Sequence, residues 1–77
     1  MTSTWLQQKR HEAGFTQLEF VEALNAVGIS KKQSIVSVWE RTGQLPSTIL
    51  GDPEQLMLIA NLLKVSISEI LNQYGYT

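Results

Sequence analysis

The 77-residue chain contains no cysteine and a single histidine, His11. Without thiols there is no disulfide scaffold and no thiolate metal site, and a reducing compartment is permitted. His11 has no ligand partners at metal spacing, so a solvated or hydrogen-bonded ring is its default. No apolar run approaches the roughly 20 residues of a membrane span. The stretch from Met1 to Thr4 lacks the basic and apolar regions of a signal peptide. Both absences point to the cytoplasm and to no membrane partner. A glycine-rich phosphate loop and a convincing carboxylate pair are also missing, so neither an enzyme nor a cofactor or metal is expected. Glu19 and Glu22 fall on a solvated helix face, where capping and solubility account for them.

Charge of either sign is sparse, with six cations against seven anions and a net charge of −1. Its distribution is uneven. From Met1 to Gly43 there are five cations and four anions, and from Gln44 onward Lys64 stands alone against Asp52, Glu54 and Glu69. The first half thus carries a faint positive bias, a weak electrostatic footprint for nucleic acid. The apolar fraction, 43%, suits one globular domain spanning residues 1–77.

Helix start and stop signals divide the chain into five short segments. Ser3 or Thr4 can cap a helix from Trp5 to about Ala13, and Gly14 supplies a left-handed stop. Thr16 and Glu19 form a capping box at the start of a second helix, in which Leu18, Val21 and Leu24 recur at helical spacing with Phe20 beside them. Asn25 to Gly28 ends it. Ser30 and Gln33 repeat the box spacing, which predicts a third helix from Lys31 to Arg41. Ile35, Val38 and Trp39 make one apolar stripe there, and Val36 with Trp39 a second pair. A loop runs from Thr42 to Gly51. Asp52 then caps a fourth helix with Pro53 at its first position, followed by Leu56, Ile59, Ala60 and Leu63 on one face. Met57, Leu58 and Leu62 extend the apolar set, as a deeply buried helix or a dimer contact would require. Ser66 and Glu69 open a last helix with Ile67, Ile70, Leu71 and Tyr74 inward, and Gly75 stops it. Strand alternation of useful length is absent. The expected fold is all-α, a bundle of five short helices around one core.

The segment from Thr16 to about Arg41 reads as helix, turn, helix, a motif common in any bundle. The second of these helices is distinctive. Its first turns hold Lys31, Lys32, Gln33, Ser34 and Ser37, which supply the ammonium, amide and hydroxyl groups that contact base edges and phosphates. Its other side holds Val36 and Trp39 for the core.

The run Gly14-Phe15-Thr16-Gln17-Leu18-Glu19-Phe20-Val21, followed by Val38-Trp39-Glu40-Arg41-Thr42-Gly43 with Pro46, resembles the Cro/repressor (XRE-type, lambda-repressor-like) helix-turn-helix family. The tail from Leu58 to Ser66 with Glu69-Ile70-Leu71 is similar to that family's closing helices. The likeness covers about Leu6 to Leu71. It implies sequence-specific binding of double-stranded DNA by a transcriptional regulator, repressor-like and acting as a homodimer at least on DNA. It also implies that Lys32, Gln33, Ser34, Ser37 and Val38 face the bases. Gln17, Lys31, Arg41, Gly43 and Gln44 would meet phosphate, and Arg10 and Glu40 would form an internal ion pair. The chain departs from the family in three ways. Val21 stands where alanine is usual, and Asn25 where the turn glycine is expected. The turn before Gln33 is about five residues longer, so the third helix starts at Ser30 or later. The loop from Gln44 to Asp52 is also lengthened, and Ile49 and Leu50 are expected to fold back onto the core. The alternative is a protein-interaction module on the same fold, using the apolar surplus of the fourth helix or the Ile49–Leu50 loop.

Overall fold

A computed structural model describes residues 4–74. Within them the chain forms six helices and no strand: α1 (Trp5–Glu12), α2 (Gln17–Ala26), α3 (Gln33–Thr42), α4 (Ser47–Leu50), α5 (Pro53–Leu63) and α6 (Ile67–Gln73). None is long and apolar enough to cross a membrane. Packing pairs α2 with α3, sets α4 and α6 on α5, and lays α1 across both α3 and α5. One core results, with Leu6, Phe20, Leu24 and Val36 from the first three helices meeting Ile49, Ile59 and Ile70 from the last three.

Four of the six helices begin where a side chain accepts a hydrogen bond from an otherwise unpaired backbone N–H. Thr4 serves α1, which leaves the alternative cap Ser3 outside the described residues, as is the stop at Gly75. Thr16 and Glu19 exchange both bonds of a capping box on α2. Asp52 caps α5, with Pro53 at the first position, and Ser66 caps α6. Gly14 stops α1 with φ +87°. Lys64 closes α5 at φ 59°, the one described non-glycine residue in the left-handed region.

The third helix departs from expectation. It begins at Gln33, with Lys32 at the N-cap, and the Ser30–Gln33 box does not form. The cause is tertiary. Ile29 is buried, and its N–H bonds Leu24 O, while the Asn25 side-chain amide donates to Lys31 O at 3.3 Å. These contacts hold residues 29–32 extended along the end of α2, so the helix starts two positions later than its local pattern suggests. The long loop likewise contains a one-turn helix, α4, which makes six helices where five were expected. Its single turn brings Ile49 and Leu50 into the core, as anticipated, beside Leu45.

Three apolar residues expected inward, Leu18, Ile35 and Met57, lie at the surface, as does Val38, which belongs to an apolar stripe but was also expected on the outer face; each is between 41% and 53% exposed. In α3 the Val36–Trp39 pair and the neighbouring Glu40 face the core. At 100° per residue that orientation turns Ile35 and Val38 outward together. In α2 the buried set is Phe20, Val21 and Leu24, which leaves Leu18 on the far side. In α5, Leu56, Ile59, Ala60 and Leu63 fill the buried stripe, Leu58 and Leu62 pack at its margins, and Met57 faces out.

The expected ion pair is present and buried. Arg10 Nε donates to Glu40 Oε2 at 2.8 Å, with both side chains almost inaccessible. Arg10 Nη1 also donates to Phe15 O at 2.9 Å, and Thr4 Oγ1 donates to Glu40 O at 2.7 Å. Breaking a buried pair from one side leaves a charge without a partner, at a cost of about 3–5 kcal/mol. Arg10→Met is therefore expected to lower unfolding stability by about that amount in urea titration, and Arg10→Met with Glu40→Leu to recover most of it. Equal losses in the single and double variants would show that side-chain packing, not charge pairing, dominates there.

Two caps are pH-sensitive. Glu19 is held below its usual 4.5 by the Thr16 backbone N–H and then the Thr16 hydroxyl. Asp52 is held below its usual 3.8 by the Gln55 side-chain amide and then the Gln55 backbone N–H. A carboxyl lowered in the folded state adds stability that is present above its unfolded value and is lost as pH falls through the folded one. Thermal midpoints should accordingly drop on acidification below about pH 4.5, and Glu19→Gln with Asp52→Asn should flatten that limb.

Candidate nucleic-acid interface

α3 is held from behind and open in front. Val36, Trp39 and Glu40 anchor its inner side. Gln33, Ser34, Ile35, Val38, Arg41 and Thr42 are exposed, and Ser37 is half-buried. Gln33, Ser34, Ser37 and Arg41 follow one line of i+3 and i+4 steps, and Ile35, Val38 and Thr42 follow the adjacent one. No carboxylate belongs to either line. The Thr42 hydroxyl turns back to its own helix, donating to Val38 O at 2.8 Å. Gly43 ends α3 in the left-handed region at φ 71°. A Cβ there would stand 3.4 Å from Thr4 Cγ2, so the start of α1 supports the end of α3 closely.

The start of α3 is also tied to α2. Gln33 Nε2 donates to Gln17 Oε1 at 3.2 Å, linking the first residues of the two helices. Gln17 is half-buried and Gln33 exposed, so the amide pair sits at the rim of the surface. The expected site residues thus separate into groups. Gln17, Gln33, Ser34, Ser37 and Val38 lie together along the starts of α2 and α3 and the outer face of α3. Lys32 stands exposed at the N-cap of α3 and makes no side-chain cap bond there. Arg41 and Gln44 are exposed at the opposite end, with Gly43 between them half-buried.

Lys31 is placed differently. It is half-buried and lines a groove with Ser30, Asp52, Glu54 and Gln55, between the α2–α3 turn and the start of α5. The other charged residues that line this groove, Asp52 and Glu54, are acidic, and Lys32 is not part of that lining. At the far end of α3 a second groove of about 440 Å³ is lined by Thr42, Gly43, Gln44, Leu45, Leu50, Gln73 and Tyr74. Tyr74 packs edge-on against Trp5, with ring centroids 6.1 Å apart, and burial pushes its hydroxyl up to about 12. That ring is a structural plug for the bundle and leaves Trp5 half-buried.

Ile35 and Leu18 are the surface residues that a reading of apolar periodicity assigns to the core. The signal for Ile35 is its i+3 pairing with Val38, on a line separate from the buried Val36–Trp39 pair. His11 is exposed, and no three metal-ligating side chains gather among the described residues. No protein-family model matches the chain, and it matches no curated protein and no solved structure.

Proposed function

We propose that the chain binds double-stranded DNA sequence-specifically, as a repressor-like transcriptional regulator of the Cro/repressor kind, with α3 laid into the major groove. One observation carries this reading: an outward face on α3 with amide, hydroxyl and aliphatic groups and no carboxylate, bounded by a cation at each end. Lys32 and Arg41 are separated by about 13 Å along the helix axis. The major groove, about 12 Å wide, admits an α-helix lying along it. Cations at the two ends of such a helix suit backbone phosphates on either side of the contacted bases, while the residues between them reach base edges. The Gln17–Gln33 bond supports the arrangement, because it fixes the Gln33 amide and leaves Gln17 beside the N-terminal end of α2, where anions are favoured.

A domain of this size offers few phosphate contacts. Useful affinity therefore calls for a homodimer on two half-sites about one helical turn apart. The surface apolar residues outside α3, Leu18 and Met57, together with the net charge of −1, favour a second reading in which the fold serves a protein partner. Salt separates the two. Phosphate binding weakens steeply between low and physiological salt, whereas apolar binding hardly changes.

Selection from a random duplex pool with the full chain, followed by a salt titration on the enriched sequence, tests the reading. The expected outcome is one enriched motif, bound with strong salt dependence. Gln33→Ala should cost about 1–3 kcal/mol and relax preference at one position, and Arg41→Ala should reduce the salt slope by about one without changing preference. An unenriched pool overturns the reading.

A further inference from the structure

Three of the four large exposed apolar side chains, Leu18, Ile35 and Val38, lie on the α2–α3 pair, and two of them on the outer face of α3 itself. The polar groups between the terminal cations of α3 are few: the Gln33 amide, already committed on one side to Gln17, and the Ser34 and Ser37 hydroxyls. That stretch has no arginine or lysine for the paired acceptors of guanine, and its one carboxylate, Glu40, is buried against Arg10 and out of reach of the amino group of cytosine. An aliphatic side chain pressed against either of those edges would strip water from a polar group and return no hydrogen bond. The one base feature in the major groove that rewards an aliphatic contact is the C5 methyl group of thymine.

We infer that Ile35 and Val38 are specificity-determining residues that select thymine through its C5 methyl group, so that the preferred half-site places thymines against the Ile35–Val38–Thr42 line of α3. The inference rests on the DNA-binding reading above. The occupant it commits to is the floor of a DNA major groove. The charge pattern supports that occupant over a protein partner, because the apolar strip is flanked by Lys32 and Arg41 and is free of carboxylates. Val38 is one residue from the core contact Trp39, and Ile35 one residue from Val36, so the backbone beneath both methyl-bearing side chains is fixed. Little rotamer freedom remains to be lost on contact, since both residues are β-branched.

The test uses the full chain and the duplex enriched in the selection described above. Each thymine is replaced in turn by deoxyuridine, which removes the methyl group and keeps the base pair. Burial of one methyl group corresponds to about fourfold in affinity. The expected result is a loss of that size at one or two positions per half-site. In Val38→Ala and Ile35→Ala, one of those losses should disappear, because the methyl group no longer has its partner. Met57→Ala, on α5, should leave the whole profile unchanged. A pool without enrichment overturns the DNA reading itself. An enriched site that tolerates deoxyuridine everywhere, or that contains no thymine, overturns the methyl contact and leaves the DNA reading standing. Losses that persist unchanged in both alanine variants also overturn it, since they would reflect the duplex and not these side chains.

Discussion

The buried contact between Arg10 and Glu40 is the constraint on which the arrangement of the first three helices depends. One guanidinium spans α1, the α1–α2 turn and α3, bonding the Glu40 carboxylate and Phe15 O together. The Glu40 backbone carbonyl accepts a further bond from Thr4. Coulomb attraction in a low-dielectric interior is strong, but so is the cost of desolvating both ions, and the net contribution of such a pair to stability is small. Its value here is geometric. Charged groups that must meet tolerate few alternative packings, so α3 is held at a defined rotation, with Val36 and Trp39 inward and the Ile35–Val38 line outward. Glu40 Oε1 is buried without a protein hydrogen-bond partner.

The low cation count is less informative than it first looks, because the carboxylates are largely occupied. Glu19, Asp52, Glu54 and Glu69 stand at the starts of α2, α5 and α6, where the helix dipole favours negative charge. Glu12 pairs with Lys9, and Glu40 with Arg10. A net charge of −1 thus sums groups with local structural duties, and the face of α3 is not itself acidic.

Much of this was legible in the chain. The Thr16–Glu19 box, the Asp52-Pro53 start and the Gly14 stop are local signals whose partners lie within four residues, and they formed as read. Arg10 and Glu40 are 30 positions apart, and only the likeness to a family suggested them. The register of α3 was misread for a physical reason. Ser30 and Gln33 have capping-box spacing, but the burial of Ile29 and the Asn25–Lys31 bond are tertiary events that a local pattern does not contain. Ile35 was misplaced for a related reason. Two apolar lines ran along α3, and choosing the inner one required knowing where Glu40 points. The exposure of Ile35 was hidden by the same ambiguity.

Lys64 shows how a locally unfavourable choice can be close to neutral. Its left-handed backbone costs an L-residue about 1–2 kcal/mol, and glycine would remove that strain. Glycine would also give the unfolded chain more conformations to lose, which returns much of the gain. Lysine adds a positive charge at the C-terminal end of α5, where unpaired carbonyls concentrate negative potential. It is also the only cation after Arg41. Position 64 thus sets a local backbone cost against an electrostatic gain at the end of α5, and the two partly offset each other.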